Sequence, residues 1–448
     1  MPQLLAGYNT GPSNGRSYSI VYLPLRFVPV VLCCLLAACT HAPVGAPKAK
    51  KLSMLGFTVE VGAQLRQDVL DEYTKRTGIV IDLVPTLGTS SEQTTLILKL
   101  LGRQSVSPDL YLIDIIWPGT LAQHMVDLKP YLKPSPAHIP ALMENGTVEN
   151  RIVSLPLYMS TGILYYRSDL LAKYGYSAPP RTWQELQTMA NRIQRGEREQ
   201  GHKDFWGYIW QGAEYEGLTC NALEWQASFG GGHVVERDGS VSVNNPQAVR
   251  AFQTASNWVN TIAPPSVLSY TESDSLNAFS SGRAAFMRHW SSAFRSVQSA
   301  TRGGEVGVAP LPAGPAGPAY MLGGFQLAVS RYSAHRQEAA ELAAYLTSPE
   351  VQATRAVRRG YLPTYPELYS RADVAAAVPS SGAFRTLDAR SWITRPSTAT
   401  GPKYGAVSKA YYETVHAILS RKAPAAAALA DLEQKIQSLV GATSRHER

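Results

Sequence analysis

The feature that most constrains this chain is the alternation of strand-like and helix-like segments that begins at Leu52 and continues to residue 132. "LSMLGFTVEVG" contains a strand. "QLRQDVLDEYTKRTG" is a helical pattern that stops at Gly78, a residue able to take the left-handed conformation of a helix C-terminus. "IVIDLVPT" is a second strand. "SSEQTTLILKLLGR" is a helix with Ser90 or Ser91 as N-cap and Glu92 in its first turn, where a carboxylate complements the helix dipole. "DLYLIDII" is a third strand, and "GTLAQHMVDLKPYL" is the helix after it. Such repeats with short loops imply an α/β fold in which a parallel sheet is covered by helices.

The rest of the chain varies this theme. "SLPLYMSTGILYYRSDLL" is an extended run. Helices are expected at "TWQELQTMANRIQRG", "LTCNALEWQASFGG", "NPQAVRAFQTASNWVNTI" and "DSLNAFSSGRAAF". "APLPAGPAGPA" is too rich in turn residues for regular structure. "YMLGGFQLAVS" is another strand, and "AHRQEAAELAAYLTS" a long Ala-rich helix. The C-terminal part is mainly helical, with a polar tail over 441–448 expected to be disordered. At 448 residues the chain exceeds one ordinary core, so more than one domain is expected.

The N-terminus carries a targeting signal. Arg16 and Arg26 are the only charged residues before Cys39, and "FVPVVLCCLLAA" is an apolar core of signal-peptide length, too short to span a bilayer. It ends in Leu36-Ala37-Ala38-Cys39, which looks like a bacterial lipobox; an ordinary signal peptide with a nearby cysteine is the alternative. The expectation is a lipoprotein signal peptide over 1–38, acylation of Cys39, and a flexible tether over 39–51 holding the protein to a membrane. Cys33 and Cys34 then leave with the signal. Cys220 is left without a disulfide partner and reads as a small buried residue. The formal charge falls from +8 to +6 when the two arginines are removed. Its basic residues are scattered rather than clustered, so no nucleic-acid partner is expected.

Motifs for cofactor chemistry are missing. His202, His233, His289, His335 and His416 are not spaced as ligand pairs, and no HExxH, CxxC, GxSxG, GxxxxGK[ST] or dinucleotide fingerprint occurs. Neither a metal nor a cofactor is expected. The stretch "SPDLYLIDIIWPGTLAQ" is more suggestive, because Asp114 and Trp117 lie where the third strand leaves its sheet. Ligands of open parallel sheets bind outside the carboxyl ends of strands. A carboxylate there can accept hydrogen bonds from paired hydroxyls while an indole packs on a sugar face. Equally, Asp114 can cap local amides and Trp117 can be core. Pro118 suits a first helical position, which makes Trp117 the nominal cap residue. Similar alternatives hold for Trp290 (sugar platform or core), Gly323–Gly324 (close backbone approach or tight turn) and Arg395 (clamp or solvated side chain).

Taken together, these segments resemble the solute-binding proteins of ABC importers, and more narrowly the trehalose/maltose-binding branch of the maltose-binding-protein family. "SPDLYLIDIIWPGTLAQHMVDL", "SLPLYMSTGILYYRSDLLAKYGYSAPPRTWQEL", "AFSSGRAAFMRHW", "VGVAPLPAGPAG" and "GGFQLAVSRYSAHRQEAAELAAYLTSPEVQ" carry the resemblance in order and spacing, from Met54 to Val440. It implies two α/β lobes joined by a hinge, with a sugar in the cleft between them. The first lobe would comprise 52–156 plus 323–361, and the second 157–322 plus 362–440. "LPLYMSTG", with Tyr158, would be a hinge crossing.

By the same resemblance, Asp114 matches a strand-end aspartate that binds glucosyl hydroxyls, Trp290 a stacking tryptophan, Gly323 and Gly324 a glycine pair facing the sugar, and Arg395 a clamping arginine. Glu272 falls where relatives have a glutamate near the cleft. Ser90, Ser91 and Glu92 occupy a loop that supplies polar contacts. Ser160 departs from the pattern by replacing an asparagine, and Glu216 is a weaker match. The implied function is capture of an α-glucoside disaccharide, trehalose or maltose, by hinge closure and its delivery to membrane permease subunits. Such a protein works as an exported monomer without enzymatic activity. Alternatives are a maltodextrin or glycerol phosphate as ligand, or a secreted glycosidase using Asp114, Glu216 and Glu272 as its carboxylates.

Overall fold

The computed structural model describes residues 50–57, 59–86, 90–132, 137–236, 238–301, 304–378 and 391–441. The expected signal peptide, Cys39, nearly all of the tether and residues 442–448 of the tail lie outside them. Its strands, in chain order, are β1 (Lys51–Phe57), β2 (Val80–Pro85), β3 (Leu110–Asp114), β4 (Thr147–Val148), β5 (Arg151–Ile152), β6 (Leu155–Arg167), β7 (Trp206–Ile209), β8 (Ala284–Trp290), β9 (Val306–Ala309), β10 (Tyr320–Val329) and β11 (Trp392–Ile393). The main sheet runs β2-β1-β3-β10-β6-β8-β7, with β11 added to β10 and β9 to β6; β4 and β5 form a separate hairpin.

The parallel sheet expected from the alternation is present at both ends of this order, in β2-β1-β3 and in β8-β7. The middle is different. β10 pairs antiparallel with both β3 and β6, and β6 pairs antiparallel with β8. The mixed sheet arises because β10, arriving late in the chain, inserts between the strands that the earlier segments supply.

Side-chain alternation explains why helices cover both faces of the first half. Leu52, Met54, Leu110 and Leu112 point into one cluster with Leu65, Leu70 and Leu342. Leu55, Tyr111 and Ile113 point into another with Leu101 and Tyr365. A strand with both faces buried must be apolar at consecutive positions, as "LYLI" is. In the second half, four tryptophans pack as one group: Trp258 lies 5.4 Å from Trp183, 6.1 Å from Trp210 and 5.8 Å from Trp225, centroid to centroid. Burying each aromatic ring of this kind contributes on the order of 2–3 kcal/mol.

β6 and β10 pass from one core to the other. Leu155 and Leu157 belong to the first-half core, while Ile163, Leu164 and Tyr165 belong to the second. Along β10, Tyr320 and Met321 pack in the second-half core, and Leu327 and Val329 in the first. The changeover falls where Gly323 faces Ser160 and Gly324 faces Met159.

Two local expectations change. The segment "GTLAQHMVDLKPYL" is not one helix: a single turn, Pro118–Leu121, is followed by 3-10 turns Ala122–His124 and Lys129–Tyr131. The Asp127 carboxylate interrupts it by accepting from the amides of Lys129 and Ile152, at 3.1 Å each. "DSLNAFSSGRAAF" divides into the helix Glu272–Ser280 and strand β8, separated by Gly282 at φ +77°. Leu362, Tyr365, Leu368, Val374 and Val378, placed on sequence with the second lobe, pack in the same cluster as Leu101 and Ile113. Gly78 does end its helix, at φ +73° with its N–H donating to the Thr74 carbonyl.

Candidate functional site

β3 ends at Asp114, directly beside the crossover of β10, since Asp114 pairs with Phe325. Trp117 occupies the N-cap position with Pro118 at the first helical position, so the chain turns away and leaves the carboxylate at the sheet edge. Asp114 does make the local amide contact, and it also pairs with an arginine. Its Oδ1 accepts a weak hydrogen bond from the Ile116 amide at 3.3 Å and a strong one from Arg395 Nη2 at 2.7 Å.

Arg395 is buried and is the centre of the arrangement. Its Nη1 donates to Glu216 Oε1 at 3.1 Å. Glu216 opens the helix Glu216–Ser228, where the helix dipole favours a carboxylate. It also accepts from the Tyr404 hydroxyl and, at 2.6 Å, from Ser408 Oγ. Burial pushes the Glu216 carboxyl above the usual range, opposed by Arg395 and by the hydroxyls of Ser408 and Tyr404. For Arg395, burial alone would favour loss of the proton, but Asp114 and its other neighbours outweigh this and hold it charged.

A second set lies across the cavity. Trp290 Nε1 donates to Glu272 Oε1 at 3.2 Å, and the Tyr215 hydroxyl to Glu272 Oε2 at 2.6 Å. The Arg288 guanidinium covers the Trp290 ring at 4.2 Å and is itself held by Glu224, through Nη2–Oε1 at 2.7 Å and Nε–Oε2 at 2.9 Å. Gly323 is required here for space. A Cβ on it would come within 2.8 Å of Trp290 Cζ3. Gly324 has φ +136°, and a Cβ would meet the Tyr158 carbonyl oxygen at 2.4 Å. The glycine pair therefore lets the indole and the β6 backbone close onto β10.

These groups surround a cavity of about 500 Å³. Asp114, Glu216, Glu272, Trp290, Gly323, Gly324, Arg395, Tyr158 and Ser160 all lie in its wall. Tyr158 packs against Tyr361 with ring centroids 4.5 Å apart and the planes tilted by 37°, and Ser160 Oγ donates to Ser292 Oγ at 3.1 Å. Trp117 does not reach the cavity. It is buried and meets Tyr404 edge-on at 6.0 Å, which makes it a support for a residue that holds Glu216. Glu92 is exposed on its helix and lies outside the wall, whereas its neighbour Gln93 lines it. Ser90 and Ser91 begin the helix Ser90–Gly102, and their side chains fall outside what is described.

Several wall residues were not picked out from the sequence: Gln93, Tyr215, Thr271, Phe325 and Cys220. Tyr215 and Phe325 adjoin chosen positions and were within reach of the same reasoning. Tyr404 and Ser408 carried a signal too, because residues four apart on the helix Tyr404–Leu419 share a face and so converge on one carboxylate. Among the described residues, no group of three or more His, Cys, Asp or Glu side chains is placed to hold a metal ion.

The sequence model of the bacterial extracellular solute-binding protein family matches residues 58–353. A probable ABC transporter-binding protein of Deinococcus radiodurans is 43% identical over 376 residues, 83% of this chain and 89% of that protein. The solved structure of T. maritima MalE3 with maltose bound superposes with a TM-score of 0.79 at 32% identity, covering 87% of this chain and 100% of that one. The GacH receptor of Streptomyces glaucescens, studied with acarbose, shares the fold at TM-score 0.75 and 22% identity, covering 88% of this chain and 99% of that one.

Proposed function

The chain belongs to the bacterial extracellular solute-binding protein family, and from that membership we propose that it captures an α-glucoside disaccharide, maltose or trehalose, for an ABC importer. The solved structures it resembles are two-lobed solute-binding proteins, with maltose bound in T. maritima MalE3. The observation that carries the finer reading is the cavity wall itself. Asp114 and Arg395, fixed by each other and by Glu216, supply charged hydrogen-bond partners, and the half-buried Trp290 ring supplies aromatic surface in the same cavity. Sugar hydroxyls need fixed polar partners, and sugar C–H faces need apolar ones. A volume of about 500 Å³ also lies in the range of small-ligand sites.

In this reading the lobes are 52–156 with 323–361 and 157–322 with 362–440, the segment 362–378 packing against the first. β6 and β10 form the hinge, and closure follows because ligand contacts both lobes; a ligand touching one lobe alone would shift no equilibrium. Acylation of Cys39 holds the monomeric protein to the membrane beside its permease, and the protein releases its sugar unaltered.

Isothermal titration of protein begun after Cys39 against trehalose, maltose, maltotriose, glucose and glycerol phosphate tests this. Saturable disaccharide binding with weak or no glucose binding is expected. Folded protein that binds none of these sugars, or that cleaves an α-glucoside, would remove the proposal.

A further inference from the structure

The charges in the cavity wall do not balance. Among its described residues, the wall holds three carboxylates, Asp114, Glu216 and Glu272, and one cation, Arg395. The nearby Arg288 adds no net charge, because Glu224 takes it in a two-point pair with both side chains buried. Arg395 can cancel only one wall carboxylate, so at least one remains even if buried Glu216 holds a proton. That one is best placed at Glu272. Its two oxygens accept from neutral donors, the Trp290 N–H and the Tyr215 hydroxyl, which satisfy hydrogen bonding without supplying positive charge. Each carboxylate oxygen has a second lone pair, so capacity for a further donor is left. Arg395 Nε is buried and has no partner among the described residues, so one donor of the guanidinium is left over.

We propose that the cavity selects its glucosides by charge: neutral sugars and their amine-bearing derivatives are accepted, and sugar acids of the same size are rejected, with Glu272 the residue that sets this preference. This inference rests on the disaccharide reading above and narrows its substrate class. A carboxylate ligand would bring a further negative charge against a wall whose own lining side chains are already one positive charge short, the buried Arg355 over the Tyr158 ring at 5.8 Å not being among them. An ammonium group would supply the missing charge. The indole is not neutral in this respect, since its face is already covered by the Arg288 guanidinium and offers an incoming cation no attraction on that side. The attraction therefore falls to the carboxylate beside it.

The test compares three isosteric ligands built on whichever disaccharide binds, differing at C6: hydroxymethyl, aminomethyl and carboxylate. Titration at pH 7 and low ionic strength is expected to show the amine binding at least as tightly as the parent. The acid should bind about 30-fold more weakly, the effect of one uncompensated charge at about 8 Å in a protein-like dielectric. Glu272→Gln keeps an oxygen for the indole N–H and removes the charge. It should shrink the amine-to-acid ratio at least about 5-fold whatever it does to the parent affinity; a purely structural role for Glu272 would lower all three affinities together and leave the ratio unmoved. If the parent binds and the acid binds equally or better, the charge inference fails and the disaccharide reading stands. If no parent sugar binds, both fall.

Discussion

Replacing Arg395 with methionine removes the guanidinium while keeping most of the stem volume, and its consequences can be worked out from the contacts. Two charge-assisted hydrogen bonds are lost, to Asp114 at 2.7 Å and Glu216 at 3.1 Å. Glu216 suffers more, being 6% exposed, and retains only the hydroxyls of Tyr404 and Ser408. Breaking one side of a buried ion pair costs about 3–5 kcal/mol, mostly because a charge is left uncompensated. Urea denaturation at pH 7.5 should therefore show a lower midpoint with an unchanged slope. The pH dependence has a definite sign. A carboxyl whose folded pKa is raised contributes stability at low pH that is lost as pH rises through the folded value. Burial already raises Glu216, and without Arg395 the largest opposing cause is gone. The deficit should thus be greatest near neutrality and shrink as pH falls toward 5. A deficit below about 1 kcal/mol, or one constant across that range, would show that Arg395 does not neutralise Glu216 in the folded protein.

Other outcomes follow from the same geometry. Gly323→Ala places a Cβ 2.8 Å from Trp290 Cζ3 and should cost about 1–3 kcal/mol of stability by overpacking, together with a shifted tryptophan emission spectrum. Trp290→Ala should weaken disaccharide binding by at least tenfold in titration while the thermal midpoint falls only slightly, because the ring is half-exposed to the cavity. His138 is pushed by burial to about 4, held against Thr364 Oγ1 at 2.7 Å and stacked at 4.0 Å on Tyr365. The unfolded chain takes up this proton near pH 6.5 and the folded chain only near pH 4, so stability should fall by about 3 kcal/mol across that window. His138→Gln should flatten that part of the urea-midpoint profile.

The sequence announced its periodic parts well. Both the Gly78 stop and the 13-residue strand β6 were visible in composition and spacing, because caps and apolar runs are local properties. The direction of the central strands was not visible. β10 lies over two hundred residues from β3 in the chain, and nothing local records that it enters antiparallel. At the site, Asp114 was legible because a carboxylate closing an apolar strand is conspicuous. Trp117 stayed open between cleft and core for a related reason: an indole at a strand end looks the same in either place, and its edge contact with Tyr404 depends on a helix nearly three hundred residues away. Tyr215 stood next to Glu216 in the sequence, but its hydroxyl bond to Glu272, 57 residues away, exists only after folding.

Cys220 gives this wall an unplanned clock. It is the only cysteine left in protein begun after Cys39, it is buried in the cavity wall, and burial pushes its thiol up so that little thiolate exists at neutral pH. A thiol reagent can then react only in moments when the wall is uncovered and wetted. Under those conditions the rate of labelling counts openings rather than intrinsic reactivity. A ligand that keeps the cavity shut slows the count by the factor through which it depletes the exposed population, so one chemical stopwatch would report opening and occupancy together without a mutation or a dye.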